Sequence, residues 1–77
     1  MTPKPIEQSV RENLELYFRD LGGEEPHSLH DMVISLVEKP LLEVVMAKAD
    51  GNQSRAAEWL GINRNTLRRK LTDHKLL

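Results

Sequence analysis

An all-α fold of four helices, doubled into a homodimer, is predicted for this 77-residue chain from three observations. Apolar residues recur at steps of three and four, the spacing of one helix face, and nowhere alternate as a half-buried strand requires. The pattern breaks at Gly22-Gly23, at Gly51-Asn52 and between Gly61 and Asn63, where glycine ends one helix and Asn can cap the next. Size supplies the third. A domain this short buries only about 60 to 65% of its unfolded surface, and with no cysteine to staple it the missing cover must come from a partner chain.

Residues 1–5, with Pro3 and Pro5, read as a flexible tail. Ile6, Val10, Leu14, Tyr17, Phe18 and Leu21 then form one stripe, with Arg11, Glu12, Glu15 and Arg19 mostly on the wet side, until Gly22-Gly23 stops the helix. Gly22 to His27 is a turn rich in Gly, Glu and Pro. Ser28, followed three residues later by Asp31, approximates a capping box and predicts the start of a long helix. Its stripe is Leu29, Met32, Val33, Leu36, Val37, Leu41, Val44 and Val45, and Ile34, Leu42, Met46, Ala47 and Ala49 widen it until little of the circumference is polar. A helix apolar nearly all round must be buried on several sides. One helix before it and two short ones after give too little cover, and a second copy of the same helix is the simplest remedy. The eight stripe residues are accordingly the expected dimer core, within a dimerisation unit spanning residues 6–50.

Pro40 falls inside this helix, where it removes a backbone donor and crowds the Leu36 carbonyl, a cost of about 3 kcal/mol or more in a helix interior. The stripe keeps phase across Pro40 and no turn residue stands nearby, so a kinked but continuous helix is expected. It should end at Asp50-Gly51, with Gly51 in the left-handed cap.

The net charge of −1 conceals an asymmetry: residues 1–50 carry a net −5 and residues 51–77 a net +4. Such separation in one small domain directs the basic end toward a polyanion. Beneath the charges, residues 52–73 carry a double-capped pattern. Asn52 caps a helix over Gln53 to Leu60, and Asn63 caps another over Arg64 to about Thr72. Two short helices joined by a tight turn match the helix-turn-helix unit. Ala57 permits a close crossing, Gly61 the positive backbone angle of the turn, Ile62 fills the gap, and Leu67 and Leu71 seat the second helix. At about 100° per residue, Arg64, Arg68, Asn65 and Arg69 lie roughly 60, 100, 160 and 200° around from Leu67, with Thr66 and Lys70 on the other shoulder. The basic residues thus point away from the core. Arginine's planar fork suits the paired acceptors of guanine or phosphate oxygens, and Arg64 stands in the first turn, where recognition helices meet base edges. The free amides that open the preceding helix, with Asn52, Ser54 and Arg55, suit a phosphate. Trp59 is expected to be a core plug rather than a base-stacking residue.

The stretches "EKPLLEVVM" (Glu38 to Met46) and "GNQSRAAEWLGINRNTLRRKL" (Gly51 to Leu71) identify a likeness. From Lys4 onward the chain resembles the Fis (factor for inversion stimulation) family of bacterial nucleoid-associated DNA-binding proteins. More distantly it is similar to the C-terminal DNA-binding domains of nitrogen-regulation-type enhancer-binding activators. The resemblance implies a four-helix, intertwined homodimer whose first two helices form the core and whose last two read double-stranded DNA. It makes Arg64 the guanine contact, places Asn63 and Arg68 at or near base edges, and assigns Asn52, Ser54, Thr66 and Arg69 to the DNA backbone; Arg55 and Lys70 complete the expected basic set. It further implies recognition helices too close for successive major grooves of straight DNA, hence bending, readout of minor-groove width and loose specificity. A cytoplasmic, nucleoid-associated regulator of transcription is what this describes. Two departures stand out. Only Met1 to Pro5 precede the first helix, where longer members carry an arm that touches site-specific recombinases, so recombinase contact is doubtful here. Thr72 and Asp73 occupy positions where the best-known members have lysines, which should weaken phosphate contacts at the flanks and DNA wrapping.

Other function classes fare worse. Ser28, His30 and Asp31 are neighbours on one helical turn and cannot form a hydrolase triad, His27 and His30 lack a third metal ligand, and Gly22-Gly23 lacks the Lys-Ser/Thr of a phosphate loop. No enzyme activity, metal or cofactor is expected. A helical module that binds an acidic protein would account for the apolar helix, but not for the two caps, the Ala57 to Gly61 spacing and Arg64 together. Met1 directly before the first helix favours a free-standing protein over a detached activator domain. No window reaches the eighteen or so apolar residues that span a bilayer, and the start lacks a signal peptide's apolar core, so the cytosol is the expected compartment.

Overall fold

The computed structural model describes residues 4–77; of the tail expected over residues 1–5, residues 1–3 lie outside them. Helix α1 spans Ile6–Asp20, α2 Leu29–Lys48, α3 Gln53–Leu60 and α4 Arg64–Asp73. No strand occurs among the described residues, and the fold is all-α with a C-terminal helix-turn-helix. Ahead of α1, Lys4 reaches forward to Glu12, Nζ to Oε2 3.0 Å, an exposed pair that adds little to stability.

The capping box expected at Ser28 does not form. Ser28 adopts a left-handed backbone, φ 52° and ψ 32°, and its side chain accepts no capping bond. An N-cap hydroxyl reaches the amides of the first turn from the extended region, not from this one. Only the Ser28 carbonyl serves the helix, accepting from the Met32 amide at 3.1 Å. The Asp31 carboxylate lies 3.8 Å from Nδ1 of His30, both side chains in solvent.

Helix α2 runs through Pro40 as a single element. Its end is more elaborate than one glycine cap. The Asp50 amide donates to the Ala47 carbonyl at 3.2 Å and the Gly51 amide to Met46 at 3.0 Å, the two bonds of a Schellman motif. Asp50 therefore takes the left-handed position, φ 53°, and Gly51 follows with φ 76°. Non-glycine residues reach that region at a cost of roughly 1 kcal/mol or more, which Asp, with its short polar side chain, tolerates better than most. The same pair of bonds ends α3, from Gly61 to Glu58 and from Ile62 to Ala57, with Gly61 left-handed as its sequence position predicts.

The buried core lies at one end of the molecule. Leu42 from the second half of α2, Ala49 at its C-terminal cap, Ala56 and Ala57 from α3, and Leu67 and Leu71 from α4 close on one another, with Val45, Met46, Leu60, Ile62 and Leu76 packed around them. Leu42 is 1% exposed and Leu67 0%. Ala57 lets α3 and α4 approach and Ile62 fills the turn, as the spacing predicts. Trp59 does not join them: it is 55% exposed, because Ala56, Ala57 and Leu60 take the inward face of this two-turn helix and leave the indole on its rim.

The other end carries little burial. Helix α1 has no buried residue, and α2 has only Leu42. Of the eight expected dimer-core residues, Val45 packs on the helix-turn-helix core, Leu29, Met32 and Val33 are half-buried, and Leu36, Val37, Leu41 and Val44 are exposed in the single chain. Between the two helices runs an open apolar groove of about 920 Å³, lined among others by Val10, Leu14, Val33, Val37, Leu41 and Val44. No helix of the described residues is long and apolar enough to cross a membrane.

Candidate nucleic-acid interface

Helices α3 and α4 each open on an asparagine cap. Asn52 Oδ1 accepts from the Arg55 amide at 3.0 Å, and Asn63 Oδ1 from the Asn65 amide at 2.7 Å. Both caps are in extended backbone, ψ 102° and 143°, which aims the remaining amides of the first turn outward. The Asn63 oxygen is thereby committed to its own helix, which leaves its amide NH2 group to meet a ligand.

Arg64, Asn65, Arg68 and Arg69 are exposed along α4, while Leu67 and Leu71 seal the opposite side. None of the three arginines forms an ion pair among the described residues. Thr66 is half-buried at the edge of this face, and Thr72 turns its hydroxyl back to the Arg68 carbonyl at 3.0 Å. On α3, Ser54 and Arg55 are exposed in the first turn beside Asn52. The arrangement therefore presents three free guanidinium groups and two capped helix starts, a surface that suits polyanions carrying planar, paired acceptors.

Lys70 departs from this set. Its ammonium donates to Oε2 of Glu38 on α2 at 2.8 Å, and Nε2 of His74 donates to Oε1 of the same carboxylate at 2.9 Å. The cluster is sheltered, with side-chain exposures of 31% for Lys70, 21% for Glu38 and 10% for His74. Sequence reading missed it, since Glu38 and His74 are 36 positions apart and no local spacing pairs them. Bonds from Lys70, and next from His74, hold the Glu38 carboxyl below its ordinary value of 4.5, against the opposing effect of partial burial. A carboxyl depressed in the folded state contributes stability above its unfolded value and loses it as pH falls through the folded one. Urea midpoints measured below pH 4.5 should therefore drop more steeply for the parent chain than for Glu38→Gln, while the two curves run parallel near neutrality. Among the described residues no three His, Cys, Asp or Glu side chains gather as metal ligands.

Residues 33–74, from the second turn of α2 to the residue that caps α4, match the family model described as bacterial regulatory protein, Fis family. The chain belongs to the Fis family. The match takes in the whole buried core and helices α3 and α4, and the family is described as one of regulatory proteins. Relatives extend the likeness to α1. A protein of Ralstonia nicotianae named as Fis-like and DNA-binding is 56% identical over 77 residues, the full length of both chains. One of the same name from Neisseria meningitidis serogroup A is 58% identical over 72 residues, 94% of this chain and 91% of its own. The DNA-binding protein Fis of Proteus vulgaris is 48% identical over 71 residues, 92% of this chain and 76% of its own.

Proposed function

We propose that this Fis-family chain binds double-stranded DNA in the major groove as a homodimer, bends it, and regulates transcription as a nucleoid-associated protein of the bacterial cytoplasm. The observation that carries the reading is the set of three exposed, unpaired arginines on a helix whose other side is sealed into the core. Arg64, in the first turn of α4, takes the base-reading role, with Arg68 and the NH2 group of Asn63 near base edges. Asn52, Ser54, Arg55, Thr66 and Arg69 hold phosphates, which fixes register without reading sequence. Lys70 contributes only if it leaves Glu38. The exposed stripe Leu36, Val37, Leu41 and Val44 and the groove beside it accept the second subunit, and the names of the relatives support DNA as the ligand.

Two substitutions test the assignment. Arg64→Ala should cost about 1 to 3 kcal/mol on preferred sites and erase preference among sites, whereas Arg69→Ala should weaken all sequences alike and lower the salt slope by about 1 per subunit. Fluorescence anisotropy with labelled duplexes across a salt series reads both. Site preference that survives Arg64→Ala would refute the role given to that side chain, and mobility of circularly permuted fragments reports whether the bound duplex is bent.

A further inference from the structure

Helix α4 is held to the rest of the chain by two kinds of contact. Leu67 and Leu71 enter the apolar cluster around Leu42, where burial is non-directional and names no particular pair of atoms. The Glu38 carboxylate is different. Each of its oxygens is taken by a separate residue, Oε2 by Lys70 of α4 and Oε1 by His74, which caps the C-terminus of α4, and these two stand four residues apart, about one turn of the helix. One fixed group that holds two points a turn apart constrains both rotation about the α4 axis and displacement along it. Charge-assisted bonds of this kind are short and directional, and a sheltered polar cluster acts on geometry more than on net stability. Glu38 stands on the α2 face that carries Leu42, one residue after Val37 of the stripe left uncovered in the single chain, so the clamp joins the recognition helix directly to the dimerisation helix rather than through α3.

We propose that Glu38 is the positioning residue that sets the angle and register of α4 on α2, and through them the separation of the two recognition helices that the dimer offers to DNA. The inference rests on the dimeric DNA-binding reading given above. Its consequence is selectivity for half-site spacing by a residue that touches no DNA. A change of one base pair moves a half-site by about 3.4 Å along the axis, a displacement that a clamped pair of helices resists and a loose pair absorbs.

The full-length chain is titrated with duplexes whose half-sites stand at a series of spacings, beside Glu38→Gln, which keeps the shape and removes the charge. In parallel, a nitroxide is placed at Thr72→Cys in each background, the parent sequence having no cysteine, and the distance between the two labels of the dimer is measured by pulsed electron resonance without DNA. The parent should prefer one spacing over its neighbours by about tenfold or more, and Glu38→Gln should reduce that preference to about threefold or less while the label distances broaden. A Glu38→Gln protein that melts earlier but keeps the spacing preference and a narrow distance distribution overturns the proposal. So does a parent with no spacing preference. If the parent binds no duplex, the DNA-binding reading fails, and the label distances alone still decide what the clamp does. Lys70→Met, which breaks the clamp from the α4 side and keeps the apolar stem, should broaden the distances in the same way; an unchanged distribution there also overturns it.

Discussion

Leu67→Ala should remove a large share of the folding stability of the chain. Leu67 is 0% exposed and meets Leu42, Leu71, Ala56 and Ala57 at the centre of the buried cluster. Truncating such a leucine removes its transfer free energy and leaves a cavity, at about 2 to 5 kcal/mol together. Domains of this length hold only roughly 4 to 11 kcal/mol in total. Three of the six buried residues are alanines, which have no longer side chain to swing into the gap, so a loss toward the upper end is expected. Circular dichroism during urea unfolding measures it, and a midpoint within experimental error of the parent would show that the cluster is not where the stability lies. Leu77→Ala, at a residue 64% exposed, is the matched control and should change the midpoint little.

The second large effect belongs to the proposed dimer. Leu36 is 66% exposed in the single chain and stands in the stripe assigned to the partner. Leu36→Glu places a carboxylate there twice, once per subunit, because a twofold interface repeats every change. Each unpaired charge taken from water costs several kcal/mol after relaxation. Dimer dissociation should therefore rise by about a thousandfold or more, since each factor of ten corresponds to about 1.4 kcal/mol. The core around Leu67 lies on the other side of α2 and should stay folded. Sedimentation would then show a helical monomer at concentrations where the parent is a dimer, with roughly half the salt slope on DNA because one reading unit engages in place of two. A Leu36→Glu chain that sediments like the parent would place the subunit interface elsewhere.

These expectations depend on features of unequal visibility in the sequence. The four helices, the caps at Asn52 and Asn63 and the turn at Gly61 were legible because each is decided by a few adjacent residues: a side-chain oxygen within reach of the next amides, or a missing Cβ where the angle turns positive. The face of α4 was legible too, since Leu67 and Leu71 fix the inward direction and the arginines follow from the helical repeat. Ser28 carries a local signal that the backbone overrides by entering the left-handed region. Trp59 misleads because its size favours burial on average, while small Ala56 and Ala57 are what the close crossing of α3 and α4 can hold. The Glu38, Lys70 and His74 cluster is invisible to any local window; it exists only once α4 has come to rest on α2. Lys70, placed on a shoulder of α4 by angle and counted with the expected basic set, is drawn aside by a carboxylate that sequence spacing does not place near it.

The continuity of α2 has a further meaning. Leu42 looks into the cluster that holds the two reading helices, while Leu41 and Val44, one and two places away, look out toward the uncovered stripe. One uninterrupted rod thus phases two attachments. Inserting or deleting a single residue between Leu36 and Leu42 would turn one attachment against the other by about 100° and shift it by about 1.5 Å. Substitutions along this stretch can be absorbed one at a time, but its length cannot change without swinging the arginines of α4 out of alignment with whatever lies across the stripe.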